Sequence, residues 1–401
     1  MYFTFIDKEN LCEYKDGKIT SFACEYVKRY REGAIRDKKN REWKKNSDLM
    51  LYEHDGEENF IHVDMCAISP TPEKNKLIYA FSVNDTSGIY YKFTDDEKKT
   101  EAHVLTSNEE VFKNICVHEN GDIFGVVQRN IEQSSLATFS KSGGDYKTLT
   151  AGDSKDENPF FYQDGLYFNS YGIGRDANNN FVAYAPSEIL KLNLSTMEIE
   201  TVLFDKNFSY IKPVFDREGN LYCIQKPAKE KEESGIFSLL LIPVRILEAI
   251  GGFISVFVKI FAGKPLIDGK GKKRNQNTAV KEMDERKIFI HNQMLSVEKE
   301  LKKNEKEEDA GFIPHSMKLV KFSKNADYFN SERNPGMGEV LASGVADFCI
   351  TSENQVVYTN GKRIFSLTED GKRKKLANVD FCIHLSTLYP SFDEEDLFTR
   401  L

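Results

Sequence analysis

The chain has one tryptophan, no C-x-x-C pair, no H-E-x-x-H and no surplus of positive charge, and each shortage removes a class of function. Without paired close cysteines there is no zinc ribbon and no dithiol redox centre. Seven cysteines is an odd number, so they cannot all pair within one chain, and a reducing compartment, the cytoplasm, is the expected home. A net charge of −8 argues against a surface given over to nucleic acid, which is not an expected partner. Residues 1–8 show no basic stretch followed by an apolar one, so no secretory signal is expected. The phosphate-binding G-x-x-x-x-G-K-[ST], the nucleophile elbow G-x-S-x-G and the kinase set are missing too. The seven histidines (54, 62, 103, 118, 291, 315 and 384) show no i, i+4 pairing, and structural roles are expected for them, His62 beside Asp64 included. Asp176 to Asn180 lacks the glycine and terminal glutamate of a calcium loop and reads as a polar hairpin loop. No metal, no cofactor and no catalytic residue is expected.

What is abundant is phenylalanine (29) and tyrosine (18), which favour strands. Several stretches share one pattern: an apolar strand, a short polar turn, then a second apolar or aromatic strand. Ile115 to Phe124, Phe160 to Phe168, Pro213 to Tyr222 and Phe348 to Tyr358 are examples. Gly, Asn and Asp at their turns supply the positive φ of tight hairpins. Third and fourth strands follow, as in Gly88–Phe93 running to Val104–Leu105, Ile189–Leu192 to Val202–Phe204 and Arg363–Leu367 to Lys375–Leu376. Cys24, Cys66, Cys116, Cys349 and Cys382 fall in what would be first strands, where a small buriable side chain fits a crowded axis.

First strands begin near residues 22, 62, 114, 158, 210, 344 and 379, which predicts seven four-stranded units. The weak pattern over 22–60 leaves six or eight open. Strands at Tyr2–Ile6, Leu11–Tyr14 and Ile19–Phe22 would join Val379–Leu385, closing the ring through the two termini. The gap between 210 and 344 is accounted for by an insertion at 228–314; without it the spacing returns to about 45 residues per unit, within the range of propeller repeats. Residues 1–227 and 315–401 together therefore resemble the bacterial β-propeller superfamily of TolB-like or WD40-like architecture. The chain lacks a Trp-Asp dipeptide and a regular Gly-His, so the resemblance implies an all-β fold and carries no activity.

The insertion opens with an apolar helix or hairpin over 236–262. On a helical projection Ser234, Ser238, Arg245, Glu248, Gly252, Ser255 and Lys259 fall in one sector. Opposite lie Ile236, Phe237, Leu239, Leu240, Ile246, Leu247, Ile250, Phe253, Ile254, Phe257, Val258 and Phe261, the expected membrane-contacting set. A basic loop over 263–277 carries Lys264, Lys270, Lys272, Lys273 and Arg274, a set suited to anionic headgroups. A charged helix is predicted over 279–308, with Val280, Met283, Ile290, Met294, Val297 and Leu301 at heptad-like spacing and a homo-oligomer contact as one use. Nine cations between Lys28 and Lys45 read as a solvated loop.

The expected function is a non-enzymatic scaffold, cytoplasmic and peripheral to the inner face of a membrane. It would bind an unidentified protein partner and dock on anionic lipid, or on a protein covering the apolar helix, through the insertion. The alternative is an enzyme, a hydrolase or lyase, with its site at the mouth of a central channel.

Overall fold

The protein is described by a computed structural model that covers residues 1–45, 61–95, 100–228, 287–324, 338–368 and 371–388. The apolar set within 236–261 and the cations from Lys264 to Arg274 lie outside the described residues.

The fold is largely β, built from several antiparallel sheets and resembling a propeller. Strands β1 (Tyr2–Asp7), β2 (Asn10–Lys15) and β3 (Lys18–Phe22) form the first group and are followed by helix α1 (Glu25–Lys45). The second group is β4 (Val63–Pro70), β5 (Lys76–Val83), β6 (Thr86–Phe93) and β7 (Glu101–Ser107). The third is β8 (Val111–Val117), β9 (Ile123–Gln128), β10 (Ser134–Phe139) and β11 (Tyr146–Thr148). The fourth is β12 (Ser154–Tyr162), β13 (Gly165–Arg175), β15 (Glu188–Asn193) and β16 (Ile199–Leu203), with β14 (Phe181–Tyr184) folded onto β13. One parallel pair, Ser134 with Lys155, links the third group to the fourth.

The fifth group pairs β17 (Phe208–Phe215) and β18 (Leu221–Pro227) with β21 (Lys318–Phe322) and β22 (Glu339–Ser343). Strands β18 and β21 are hydrogen-bonded neighbours although residues 228–317 separate them. Within that stretch lie β19 (Lys287–Ile290), β20 (Gln293–Ser296) and the short helix α2 (Val297–Lys303). The sixth group is β23 (Asp347–Ile350), β24 (Val356–Thr359), β25 (Arg363–Leu367) and β26 (Arg373–Asn378). Last comes β27 (Leu385–Ser386), which pairs antiparallel with β1, Leu385 opposite Phe5 and Ser386 opposite Thr4.

Among the described residues there are six such groups, and the unit expected at 22–60 begins as α1 instead. Glu, Lys and Arg make up most of α1 and favour helix, and the loop expected there is corrected to a helix. Its first turn is tied to the second group: the Glu25 backbone N–H donates to Glu101 Oε1 (2.8 Å), and Lys92 Nζ donates to the Ala23 carbonyl (2.9 Å). The Tyr26 ring sits 4.7 Å from Phe81 and 5.6 Å from Tyr90. Cys24 lies just before this helix and outside any strand, so it does not mark a first strand as expected.

A second correction concerns 279–308. Where described, residues 287–296 form a hairpin and only Val297–Lys303 is helical. His291 and Asn292 both take positive φ (50° and 57°), the conformation of a tight two-residue turn whose twist matches the flanking strands. Ile290, Leu295 and Val297 are thereby buried against Phe312, Ile313, Val345 and Phe348.

The apolar core is layered between consecutive groups. Ile78, Ile89 and Val104 of the second pack against Phe112, Val127 and Phe139 of the third. Phe3 and Phe5 of the first pack with Val357 and Ile364 of the sixth and with Leu385. The first strand of each group, the last one being β27, meets the next: β4 packs on β8, β8 on β12, β12 on β17, β17 on β23, β23 on β27 and β27 on β4. Cys66, Cys116 and Cys349 lie on these inner strands, and all seven cysteines are buried and unpaired. Burial pushes the Cys116 thiol up to about 11 and the Cys349 thiol up to about 12, so neither is a thiolate near neutrality.

Leu385 is 2% exposed and belongs to the layer that joins the chain's two ends. Leu385→Ala is expected to destabilise the fold by about 2–5 kcal/mol in urea unfolding, the range for a buried leucine truncated to alanine. A cost below about 1 kcal/mol would show that β27 adds little to that layer.

Candidate functional site

The inner strands β4, β8, β12 and β17 carry register shifts against their partners, between Met65 and Ala67, Lys113 and Cys116, Glu157 and Phe160, and Ile211 and Val214. At three of these bulges a non-glycine residue takes a left-handed conformation: Asn114 (φ 48°), Asn158 (φ 54°) and Lys212 (φ 56°). A bulge re-aims the side chains beside it. Asparagine tolerates this φ, whereas Lys212, followed by Pro213, is held there at a cost of order 1–3 kcal/mol.

What holds these residues is a belt of hydrogen bonds around the axis. Asn114 Nδ2 donates to Asn158 Oδ1 (2.9 Å), and Asn158 Nδ2 donates to Asn169 Oδ1 (2.8 Å). The Lys212 backbone N–H also donates to Asn169 Oδ1 (3.1 Å). Lys212 Nζ donates to Asp347 Oδ1 (2.6 Å) and to the Leu385 carbonyl (2.9 Å), and the Leu385 N–H donates to Asp347 Oδ2 (2.6 Å). The belt thus connects β8, β12, β13, β17, β23 and β27.

Above the belt is a cavity of about 210 Å³, lined by residues from all six inner strands and by the tip of the β19–β20 hairpin. Its charged lining is Asp64, Lys113, Lys155, Glu157, Lys212 and Asp347, joined by His291, Asn292 and His384. Ile68, Phe160, Val214, Phe289 and Ile383 supply apolar wall.

The hairpin tip is pinned from three sides. His291 Nε2 donates to the Ala346 carbonyl (2.7 Å), Lys226 Nζ donates to the His291 carbonyl, and Lys155 Nζ donates to Asn292 Oδ1. Asn292 Nδ2 is buried and has no partner. Lys155 Nζ also lies 3.3 Å from Glu157 Oε1. Burial lowers the pKa of the Lys155 ammonium; Glu157 opposes the shift and Lys113 adds to it. Burial likewise holds His291 down at about 4 and lowers His384, with Asp347 and Asp64 pulling His384 the other way. Both imidazoles are therefore uncharged at neutral pH.

Two lysines are thus paired, Lys155 with Glu157 and Lys212 with Asp347. Among the described residues the Lys113 ammonium has no hydrogen bond and no ion pair, and the His384 ring has no hydrogen bond. No ion pair reaches the Asp64 carboxylate either, which is exposed to the cavity. Among the described residues no three His, Cys, Asp or Glu side chains are grouped to hold a metal ion.

None of this set was singled out from the sequence except His62–Asp64, His291 and His384, which were assigned structural roles. The available signal was a charged residue or histidine two or three places from a buried cysteine: Asp64 and Cys66, Lys113 and Cys116, Asp347 and Cys349, His384 and Cys382. The residues expected to meet lipid are not described, and no described helix is long and apolar enough to cross a membrane.

Two outcomes follow from this geometry. Asn158→Ala strands the Asn114 amide and leaves one fewer donor on Asn169, and is expected to cost about 1–3 kcal/mol in urea unfolding. The second concerns His291, whose pKa is near 4 when docked and 6.5 when free, so the docked state binds fewer protons. Stability is then full above pH 6.5 and falls by roughly 1.4 kcal/mol per unit as pH drops towards 4. His291→Asn, which keeps a side chain suited to positive φ, should flatten that slope. Equal slopes for the two proteins between pH 7 and 5 would show that the ring is not enclosed as described.

No family model and no curated protein matches the sequence. Solved structures do match. TolB from Acinetobacter baumannii is similar with a TM-score of 0.45 and 10% identity, over 96% of this chain and 65% of that one. The tricorn protease is similar with a TM-score of 0.41 and 9% identity, over 95% of this chain and 34% of that one. A putative TolB from Agrobacterium tumefaciens gives 0.34 and 9%, over 80% and 82%. The chain spans 65% and 34% of the length of the first two of these proteins. The expected cytoplasmic location is withdrawn: neither the fold nor the TolB structures similar to it give ground for placing the chain in the cytoplasm. The chain has a β-propeller-like fold with TolB-like and related propeller structures similar to it, none at high identity.

Proposed function

We propose that the chain is a six-bladed propeller, closed by β27 on β1, that binds a small polar molecule in its axial cavity and acts on it by acid–base chemistry as a hydrolase or lyase. One observation carries this reading: three lysines, three carboxylates and two uncharged imidazoles from strands far apart in sequence converge on one cavity of about 210 Å³. The six-blade count is supported by the cyclic order in which the inner strands meet.

In this reading His384 is the general base. It is uncharged, has no hydrogen bond of its own, and faces the cavity. Lys113 orients an anionic or polarised group of the ligand. The Lys155–Glu157 and Lys212–Asp347 pairs hold the wall in place, and His291 with Asn292 close one side of the cavity. A neutral base that shares a cavity with an unpaired cation is an arrangement that can support proton transfer. The scaffold reading through 236–261 and 264–274 lies outside the described residues; the axial cavity supports the enzymatic alternative.

The test is a melting-temperature screen of the full chain against a broad panel of amino acids, dipeptides, sugars and phosphates, with product formation followed by mass spectrometry. At least one compound is expected to raise the melting temperature. His384→Ala is expected to bind it and to lose turnover by about 100-fold or more, the contribution typical of a general base. Lys113→Met should lose the ligand-induced shift. A panel that shifts nothing, or shifts wild type and both variants alike with no turnover, would sink the axial reading.

A further inference from the structure

We infer that the axial cavity is a receptor for a zwitterion: an amino acid or short peptide whose carboxylate meets Lys113 and whose ammonium meets Asp64. The inference rests on the axial reading above and narrows it to a ligand class.

Six charged side chains line the cavity, three of each sign, and the two imidazoles are uncharged. Lys212 is matched to Asp347 at 2.6 Å and Lys155 to Glu157 at 3.3 Å, so four of the six charges neutralise one another inside the wall. The remainder is one cation, Lys113 on β8, and one anion, Asp64 on β4. These strands pack against each other, yet no ion pair joins the two side chains. A simple anion would satisfy Lys113 and leave Asp64 facing it. A simple cation would do the reverse. A neutral sugar would desolvate both charges and repay neither. A ligand bearing both signs completes the set, and a cavity of about 210 Å³ takes a small one.

A second observation points the same way. Asn292 lines the cavity with its Oδ1 taken by Lys155, and its Nδ2 is a buried donor with no hydrogen bond, near the Tyr171 hydroxyl. A buried donor of this kind costs about 1–3 kcal/mol unless an acceptor reaches it. A carboxylate has lone pairs enough for Lys113 and for this amide together. An ammonium can donate to Asp64 and keep a donor for the unprotonated ring nitrogen of His384. No covalent step is included in the proposal.

The test uses calorimetric titration of the full chain with six probes: L-alanine, L-alanyl-L-alanine, N-acetyl-L-alanine, L-alaninamide, glucose and inorganic phosphate. N-acetyl-L-alanine lacks the cation and L-alaninamide lacks the anion. At least one of the two zwitterions is expected to bind, and its single-charge analogues about tenfold or more weakly, since each leaves one cavity charge unpaired. Lys113→Met should erase the preference of zwitterion over amide, and Asp64→Asn the preference over the acetylated form, each without loss of the circular dichroism spectrum. Equal binding of a zwitterion and both analogues overturns the proposal. So does binding of glucose or phosphate alone, and if Lys113→Met weakens that binding the axial site itself still stands. Silence from all six probes also overturns the proposal, and the wider panel then decides the axial reading separately.

Discussion

The side chain and backbone of Lys212 hold several segments in one place, and the arrangement at the axis depends on them. The ammonium reaches Asp347 on β23 and the Leu385 carbonyl on β27, while the backbone N–H reaches Asn169 on β13. The residue takes φ 56° in front of a proline, a conformation that is tolerated only where surrounding bonds over-determine it. A buried ion pair repays its desolvation only when the remaining donors and acceptors are satisfied. Here Asp347 accepts from Lys212 and from the Leu385 N–H, and Lys212 donates to two oxygens. Strand β27 is two residues long, too short to anchor the chain's end through its ladder with β1 alone. The pair therefore specifies where the end of the chain meets the inner strands, whatever its net contribution to stability.

The parts of the fold governed by local rules were readable in the sequence. Hairpins at Phe160–Phe168 and Phe348–Tyr358 announce themselves because Asn354 and the polar turn residues permit positive φ, and the strands β1 to β3 fall where alternation places them. Buried cysteines marked three inner strands, since thiols suit crowded apolar positions. Cys24 misled for the same reason: it is buried, but against Tyr79 and at the foot of a helix. The charged stretch after it has helical propensity that a repeat count overrode. The hairpin at 287–296 was missed because Ile290, Met294, Val297 and Leu301 satisfy a heptad spacing as well as they satisfy a strand followed by a helix. Its deciding feature, two consecutive residues in the left-handed region, has no strong signature in the pair His291–Asn292.

The axial site was hidden for a different reason. Each inner strand contributes one or two polar residues, so no window of sequence holds more than a fragment of it. Asp64 and His384 come from opposite ends of the chain and meet only because β27 packs on β4. Bulges then decide which side chains face the axis, and a bulge is a tertiary outcome that alternation cannot reveal. A lysine beside an apolar run reads as solvent-facing by default. Lys155, with its side chain 5% exposed, overturns that default because Glu157 and Asn292 stand ready to receive it.

The hairpin tip adds a constraint that pure wall residues do not. It comes from the stretch between β18 and β21, yet its bonds are to Ala346 and Lys155, which belong to other groups, and to Lys226 at the end of β18. Lys155 is thereby shared between a carboxylate of its own strand and the amide of the hairpin. The two partners act differently on it: Glu157 favours its charged form, whereas enclosure beneath the hairpin disfavours it. Phe289, over which the same ammonium lies at 5.6 Å, adds a ring face to the enclosure. The hairpin therefore both narrows the cavity and tunes the charge of its wall, so that removing it would change the electrostatics of the site as well as its size. Lys113, reached by no such partner, is left as the cation that the rest of the wall does not neutralise.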